Sequence, residues 1–109
     1  MKVYIAGPMT GMKDHNFPAF HAAAADLRAQ GFEVVSPAEQ EWNDDLTREW
    51  SFYLKRDIPI LLQCDAIALL PGWRESRGAM LESFIAAQLD METFEYTPPP
   101  TLAKPEVLN

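Results

Sequence analysis

The chain of 109 residues holds a single cysteine, Cys64, and only two histidines, so it can form neither an internal disulfide nor a cysteine-rich zinc site. That usage is expected of the reducing cytoplasm. Basic residues are also few. Nine Lys and Arg stand against 16 Asp and Glu, giving a net charge of −7 and a pI near 4.6. A net-negative surface repels phosphate backbones, which disfavours a nucleic-acid partner; a small anion can bind only where a local site outweighs the global field. Long hydrophobic runs are missing as well. The apolar start of MKVYIAGPMTG is too short for a secretory core and is broken at Gly7-Pro8, and no later run approaches a membrane span. What remains is 48% apolar and 11% aromatic in 12.3 kDa, enough for one core and too much for a disordered chain. The expectation is a cytoplasmic, single-domain protein with a small-molecule ligand and with no nucleic-acid or membrane partner.

Val3 to Ala6 is a short apolar run ending at Gly7-Pro8 and reads as a buried strand. Gly7 to His15 reads as a loop. Asn16 is placed to cap a helix from Phe17, with Pro18 tolerated in the first turn and Gly31 as the stop. Phe17, Phe20, Ala24 and Leu27 fall at helical spacing within it. Phe32 to Val35 reads as a second strand, followed by a polar, acidic surface excursion from Ala38 to Asp45. A second helix spans about Leu46 to Gln63, with Trp50, Leu54, Ile58 and Leu61 on one side. Pro59 predicts a kink or break in it just after Asp57. Ala66 to Leu70 is a third buried strand, stopped by Pro71-Gly72. Ser76 to Leu89 is a third helix that turns Leu81, Phe84, Ile85 and Leu89 to the core, and Met91 to Tyr96 a fourth strand. Pro98-Pro99-Pro100 and Pro105 cannot sustain a ladder, so residues 97–109 are expected as an extended tail beyond a domain of residues 1–96.

Alternating strands and helices with near-continuous apolar strands imply an α/β fold, an open parallel sheet of about four strands with helices on both faces. Such sheets bind ligands at the carboxyl ends of strands, where the strand order reverses. With the order 2-1-3-4, that crevice lies between the first and third strands. The loop Gly7-Pro8-Met9-Thr10-Gly11 opens onto it; it is either a plain strand-to-helix turn or a cradle whose backbone N–H groups and Thr10 hydroxyl meet an anion. Ser76-Arg77-Gly78 opens onto it from the other side. Ser76 can be simply an N-cap, or part of an anion site that Gly78 leaves accessible.

Two carboxylates stand out nearby. Glu82 has Gly78, Ala79, Ile85 and Ala86 as helical neighbours, none of them basic, so the usual solvated ion pair lacks a partner on its helix. Partial burial there would raise its pKa unless donors in the site hold the carboxylate ionised. Asp57 is either a helix-end charge beside Lys55 and Arg56 or the second member of a carboxylate pair of the kind glycoside cleavage needs. Tyr4 reads as core with a hydroxyl in want of a partner. Trp73 is placed either to stack on a base or to cover the sheet edge. Asp65 reads as a support for the turn into the third strand. His15 and His21 have no metal-like partners, and Cys64 lacks a nucleophile's setting.

KVYIAGPMTG (residues 2–11) and CDAIALLPGWRESRGAMLE (residues 64–82) resemble the nucleoside 2-deoxyribosyltransferase superfamily, and more closely its small phage and bacterial DUF4406-type branch, over about Lys2 to Leu89. The resemblance implies a flavodoxin-like sheet, a homodimer or larger assembly, and cleavage of the N-glycosidic bond of 2′-deoxynucleosides or their 5′-monophosphates with no metal or organic cofactor. It implies Glu82 as the nucleophile at the anomeric carbon, Asp57 as a sugar contact that assists departure of the base, and Tyr4 as the residue orienting the nucleophile. Six positions before the glutamate, transferases of free nucleosides carry an acidic residue and the related nucleotide hydrolases a serine; here it is Ser76. A carboxylate would repel a phosphate and a hydroxyl can donate to one, which favours a nucleotide. Thr10 stands where those hydrolases have an arginine, and Glu41 to Asp45 matches no base-recognition segment. The resulting expectation is an N-glycosidase, or deoxyribosyl transferase, acting on a 2′-deoxynucleoside 5′-monophosphate through a covalent glycosyl-glutamate. The alternative is a non-catalytic protein that senses or sequesters nucleotides in the same crevice.

Overall fold

The computed structural model describes residues 1–39 and 50–98. The expected helix start at Leu46, the segment Glu41 to Asp45 and nearly all of the expected tail lie outside the described residues. In chain order come β1 (Lys2–Ala6), α1 (Phe17–Ala29), β2 (Glu33–Val35), α2 (Trp50–Leu61), β3 (Ala66–Leu69), α3 (Arg77–Gln88) and β4 (Glu92–Glu95), with short 3-10 turns at 13–16, 37–39 and 73–75. Every strand pair is parallel and the order is β2-β1-β3-β4. Tyr4 pairs with Ile67 and Ala6 with Leu69 across the central pair.

Because side chains alternate across a strand, each strand serves two cores. Val3, Ile5, Ala66, Ala68 and Leu70 meet Phe20, Ala23, Ala24 and Leu27 of α1 on one face. Tyr4, Ala6, Ile67 and Leu69 point to the opposite face, toward Leu61 of α2 and Ala79 and Ala86 of α3. Burial on both faces is why these strands read as unbroken apolar runs. The chain leaves β1 toward β2 on one side and returns to β3 on the other, so the order reverses between β1 and β3.

Several local expectations are corrected. Helix α2 runs uninterrupted through Pro59 to Leu61. The proline is exposed and stands two residues before the helix end, so its ring meets solvent rather than the packed face of the helix. Asn16 occupies the N-cap position of α1 but does not cap it. It sits in the left-handed region at φ 60°, and its Nδ2 instead donates to the Pro8 carbonyl at 2.9 Å, tying down the loop after β1. Helix α3 is rotated from the expected orientation. Ala79, Glu82 and Ala86 face the sheet, while Phe84 is 62% and Leu89 55% exposed. Small residues let the helix approach the strands closely, and a face carrying Phe84 could not.

Gly7, at the exit of β1, has no room for a side chain. A Cβ there would stand 2.8 Å from the Leu70 Cβ. Gly7→Ala is expected to destabilise the fold by about 1–3 kcal/mol through overpacking, read as a lower urea midpoint at unchanged slope.

Candidate active site

The site begins with the parity of β1. Tyr4 points to the α3 side, where Ala79 and Ala86 bring that helix close, and Glu82 lies between them on the same buried stripe. The fully buried Tyr4 hydroxyl donates to Glu82 Oε2 at 2.7 Å. Asp57, on the inward face of α2, is likewise buried. Its two carboxylate oxygens accept from Nε and a terminal nitrogen of Arg56 at 2.6 and 3.1 Å.

These contacts set the protonation states. Burial raises Glu82 from its ordinary 4.5 to about 8; the Tyr4 hydrogen bond opposes the rise, the Asp57 charge adds to it and Arg56 opposes it. Asp57 is raised by burial, against the hydrogen bonds and charge of Arg56. Tyr4 is raised well above its usual range by burial and by the two carboxylates, so it remains a neutral donor. A carboxyl held by a phenol beside a second carboxylate with its own cation separates two acid–base roles within one site.

A cleft of about 550 Å³ opens here at the carboxyl end of β1. Gly7, Pro8, Met9, Thr10 and Gly11 line one side; Ser76, Gly78 and Glu82 line another; Asp57 stands on a third with other residues of α2. Nine of the eleven residues singled out from the sequence therefore share one cleft. Tyr4 sits behind it and reaches it through Glu82. Trp73 does not line it; the indole packs against the second core cluster, with the Arg74 guanidinium 4.6 Å over its ring. The Ser76 hydroxyl accepts from the Ala79 N–H at 3.1 Å, a true N-cap that leaves its own proton to donate. Gly78 has a packing role as well as an open one, since a Cβ there would meet Trp50 Nε1 at 3.4 Å and Leu54 Cδ2 at 3.5 Å.

Of the remaining residues weighed from sequence, His15 lines the cleft. Asp65 accepts from the Lys2 N–H at 2.9 Å, and Cys64 is buried away from the cleft with its thiol raised by burial. Reading the sequence missed Arg56 and Arg77, both of which line the cleft. Arg77 had a signal, lying inside the Ser-Arg-Gly run already singled out. Arg56 was visible only as a charge next to Asp57, because whether the two pair depends on burial of both side chains. Among the described residues no three His, Cys, Asp or Glu side chains converge to hold a metal ion, and no helix is long and apolar enough to cross a membrane.

Residues 1–94 match the family described as a domain of unknown function, DUF4406. No curated protein matches the chain. Among solved structures it is similar to the 2-desoxiribosyltransferase from Leishmania mexicana, with a TM-score of 0.63 and 21% identity over 94% of this chain and 69% of that one. At that identity the likeness establishes the shared α/β fold.

Proposed function

The chain belongs to the DUF4406 family, and we propose that its cleft cleaves the N-glycosidic bond of a 2′-deoxynucleoside 5′-monophosphate. The observation that carries this reading is the buried hydrogen bond from Tyr4 to Glu82 at the floor of a cleft that also holds Asp57. A carboxylate fixed by one donor, with its second oxygen free to act, is arranged as a nucleophile. A Glu82 oxygen forms a bond to C1′ as the C1′–N bond breaks, its electron pair going to the base, which takes a proton from water as it leaves, while the Asp57 carboxylate, held by Arg56, faces the positive charge that develops on the sugar. Water, or a second base, then attacks C1′ of the glycosyl ester. The Glu82 carboxylate is released and the attacking group's proton passes to solvent, which closes the proton balance. The name of the similar 2-desoxiribosyltransferase supports glycosyl transfer as the reaction class. Ser76, with a proton to donate, supports a phosphate-bearing substrate over a free nucleoside.

A second reading, nucleotide binding without turnover, draws on the same burial, because a Glu82 pKa of about 8 leaves it mainly protonated near neutral pH. Chromatographic detection of free base separates the two. The protein is incubated with a panel of deoxy- and ribonucleoside monophosphates and free nucleosides. Base release from deoxynucleoside monophosphates supports the glycosidase. Thermal stabilisation by the same compounds with no base released supports the binder.

We also propose cytoplasmic residence, residues 1–96 as the catalytic domain with a proline-rich extension, and a homodimer. From Gly78 to Leu89 the only charged residue is the buried Glu82, so the outward face of α3, with Met80 48% and Phe84 62% exposed, is apolar in an otherwise acidic protein. Two copies carrying −7 each can meet there without opposing charges. Phe84→Glu is expected to shift the protein to monomer in sedimentation velocity.

A further inference from the structure

Arginine is an unexpected residue for the first position of α3. A helix N-terminus carries partial positive charge, so a cation there is disfavoured by about 0.3–1 kcal/mol. Among the described residues no carboxylate forms an ion pair with Arg77, although Glu75 lines the same cleft. Its guanidinium lies instead over the Trp50 ring, with the central carbon 3.7 Å from the centroid. Stacking uses the face of the guanidinium and leaves its in-plane N–H groups to bond elsewhere. Both Arg77 and Trp50 line the cleft. The other arginine of the cleft, Arg56, holds Asp57 with two hydrogen bonds.

We infer that Arg77, held on Trp50 at the cleft wall, binds the phosphate of the substrate and makes the site select nucleotides over nucleosides. The inference rests on the proposed function and names the cation that function requires. The cleft contains the carboxylates of Glu75 and Asp57, and the protein as a whole is acidic, so a phosphate dianion is repelled unless a cation is present to receive it. Thr10 supplies none from the loop after β1. Arg77 supplies it from the opposite wall, beside the donor proton of Ser76, with a planar fork that matches two phosphate oxygens. A bound anion also removes the mismatch between the arginine and its helix end. An uncharged nucleoside would leave the mismatch in place.

The test uses Glu82→Gln protein, in which turnover is blocked, and calorimetric titration with 2′-deoxynucleoside 5′-monophosphates and the matching free 2′-deoxynucleosides. The measured quantity is the ratio of the two affinities. Arg77→Met, which keeps an aliphatic stem across Trp50 and removes the charge, is expected to lower that ratio about ten- to hundredfold, and Arg77→Lys to recover part of it. An unchanged ratio in Arg77→Met overturns the assignment, as does an equal loss for both ligands, which would mark a packing role. If the Glu82→Gln protein with Arg77 intact binds neither ligand class, the nucleotide reading fails and this inference with it. Binding of both classes with an unchanged ratio overturns the inference alone.

Discussion

Glu82→Gln is expected to abolish base release, lowering kcat by about a thousandfold or more, while making the protein more stable. The first effect follows from the chemistry: an amide cannot form the glycosyl ester. The second follows from burial. Glu82 is 6% exposed, and its pKa in the folded protein is about 8 against an ordinary 4.5. Between those values the folded state holds a proton that the unfolded chain has released, so stability falls as pH rises from 4.5 to about 8. Below pH 4.5 the neutral carboxyl carries no such penalty in either state, and above about 8 the full penalty applies. Its size is on the order of 4 kcal/mol at pH 8 and about 3 kcal/mol at pH 7. Glutamine still accepts from the Tyr4 hydroxyl and has no charge to bury. The variant should therefore melt above the wild type by on the order of 10 °C at pH 8, with the gap closing toward pH 4.5. Calorimetric scans across that range check it. A variant that loses activity and melts lower at every pH would instead mark Glu82 as a structural residue.

Tyr4→Phe is expected to act on the same carboxylate through its proton. The phenol donates to Glu82 Oε2 and lowers its pKa against the effect of burial. Removing the hydroxyl leaves a ring of nearly the same shape in a fully buried position, so the fold persists, and Glu82 becomes harder to ionise. With a pKa of about 8 only about a tenth of Glu82 is ionised at pH 7, and kcat/KM in the wild type should climb toward a plateau above pH 8. In Tyr4→Phe the climb should shift to higher pH, with activity at pH 7 down about ten- to hundredfold and a partial recovery under alkaline conditions. A pH-independent loss would indicate that Tyr4 acts only by packing. The displaced profile is what distinguishes a residue that holds the nucleophile ionised.

Both predictions rest on a feature that the sequence showed only in part. The alternation of apolar runs and helical periods was enough to expect an open parallel sheet with right-handed crossovers; the order 2-1-3-4 is compatible with that pattern but not required by it. The same logic carried Gly7 to Gly11, Ser76, Gly78, Asp57 and Glu82 to one cleft, because each falls on a loop or helix next to the point where the strand order reverses. The absence of a basic neighbour on the helix of Glu82 left its charge without the usual surface partner, and its burial was decided by the packing of α3.

Other features depend on how the elements pack. Hydrophobicity placed Phe84 and Leu89 in the core, yet α3 turns them outward and buries Glu82. The rotation of a helix on a sheet is decided by which residues are small enough for close approach, here Ala79 and Ala86, and that is a property of both surfaces together. Trp73 lay correctly after the third strand but packs beside the cleft, because the 3-10 turn at 73–75 directs it toward the core cluster. Protonation is more remote still. The same glutamate is an ordinary acid in an unfolded chain and a nearly neutral one when it is buried beside Tyr4, Asp57 and Arg56. The sequence by itself determined the alternation of strands and helices and the residues available to the site. Which side chains face inward, which cation Asp57 retains and which Trp50 holds toward the cleft were decided only by tertiary structure, because desolvation and Coulomb energy depend on distances between residues far apart in the chain.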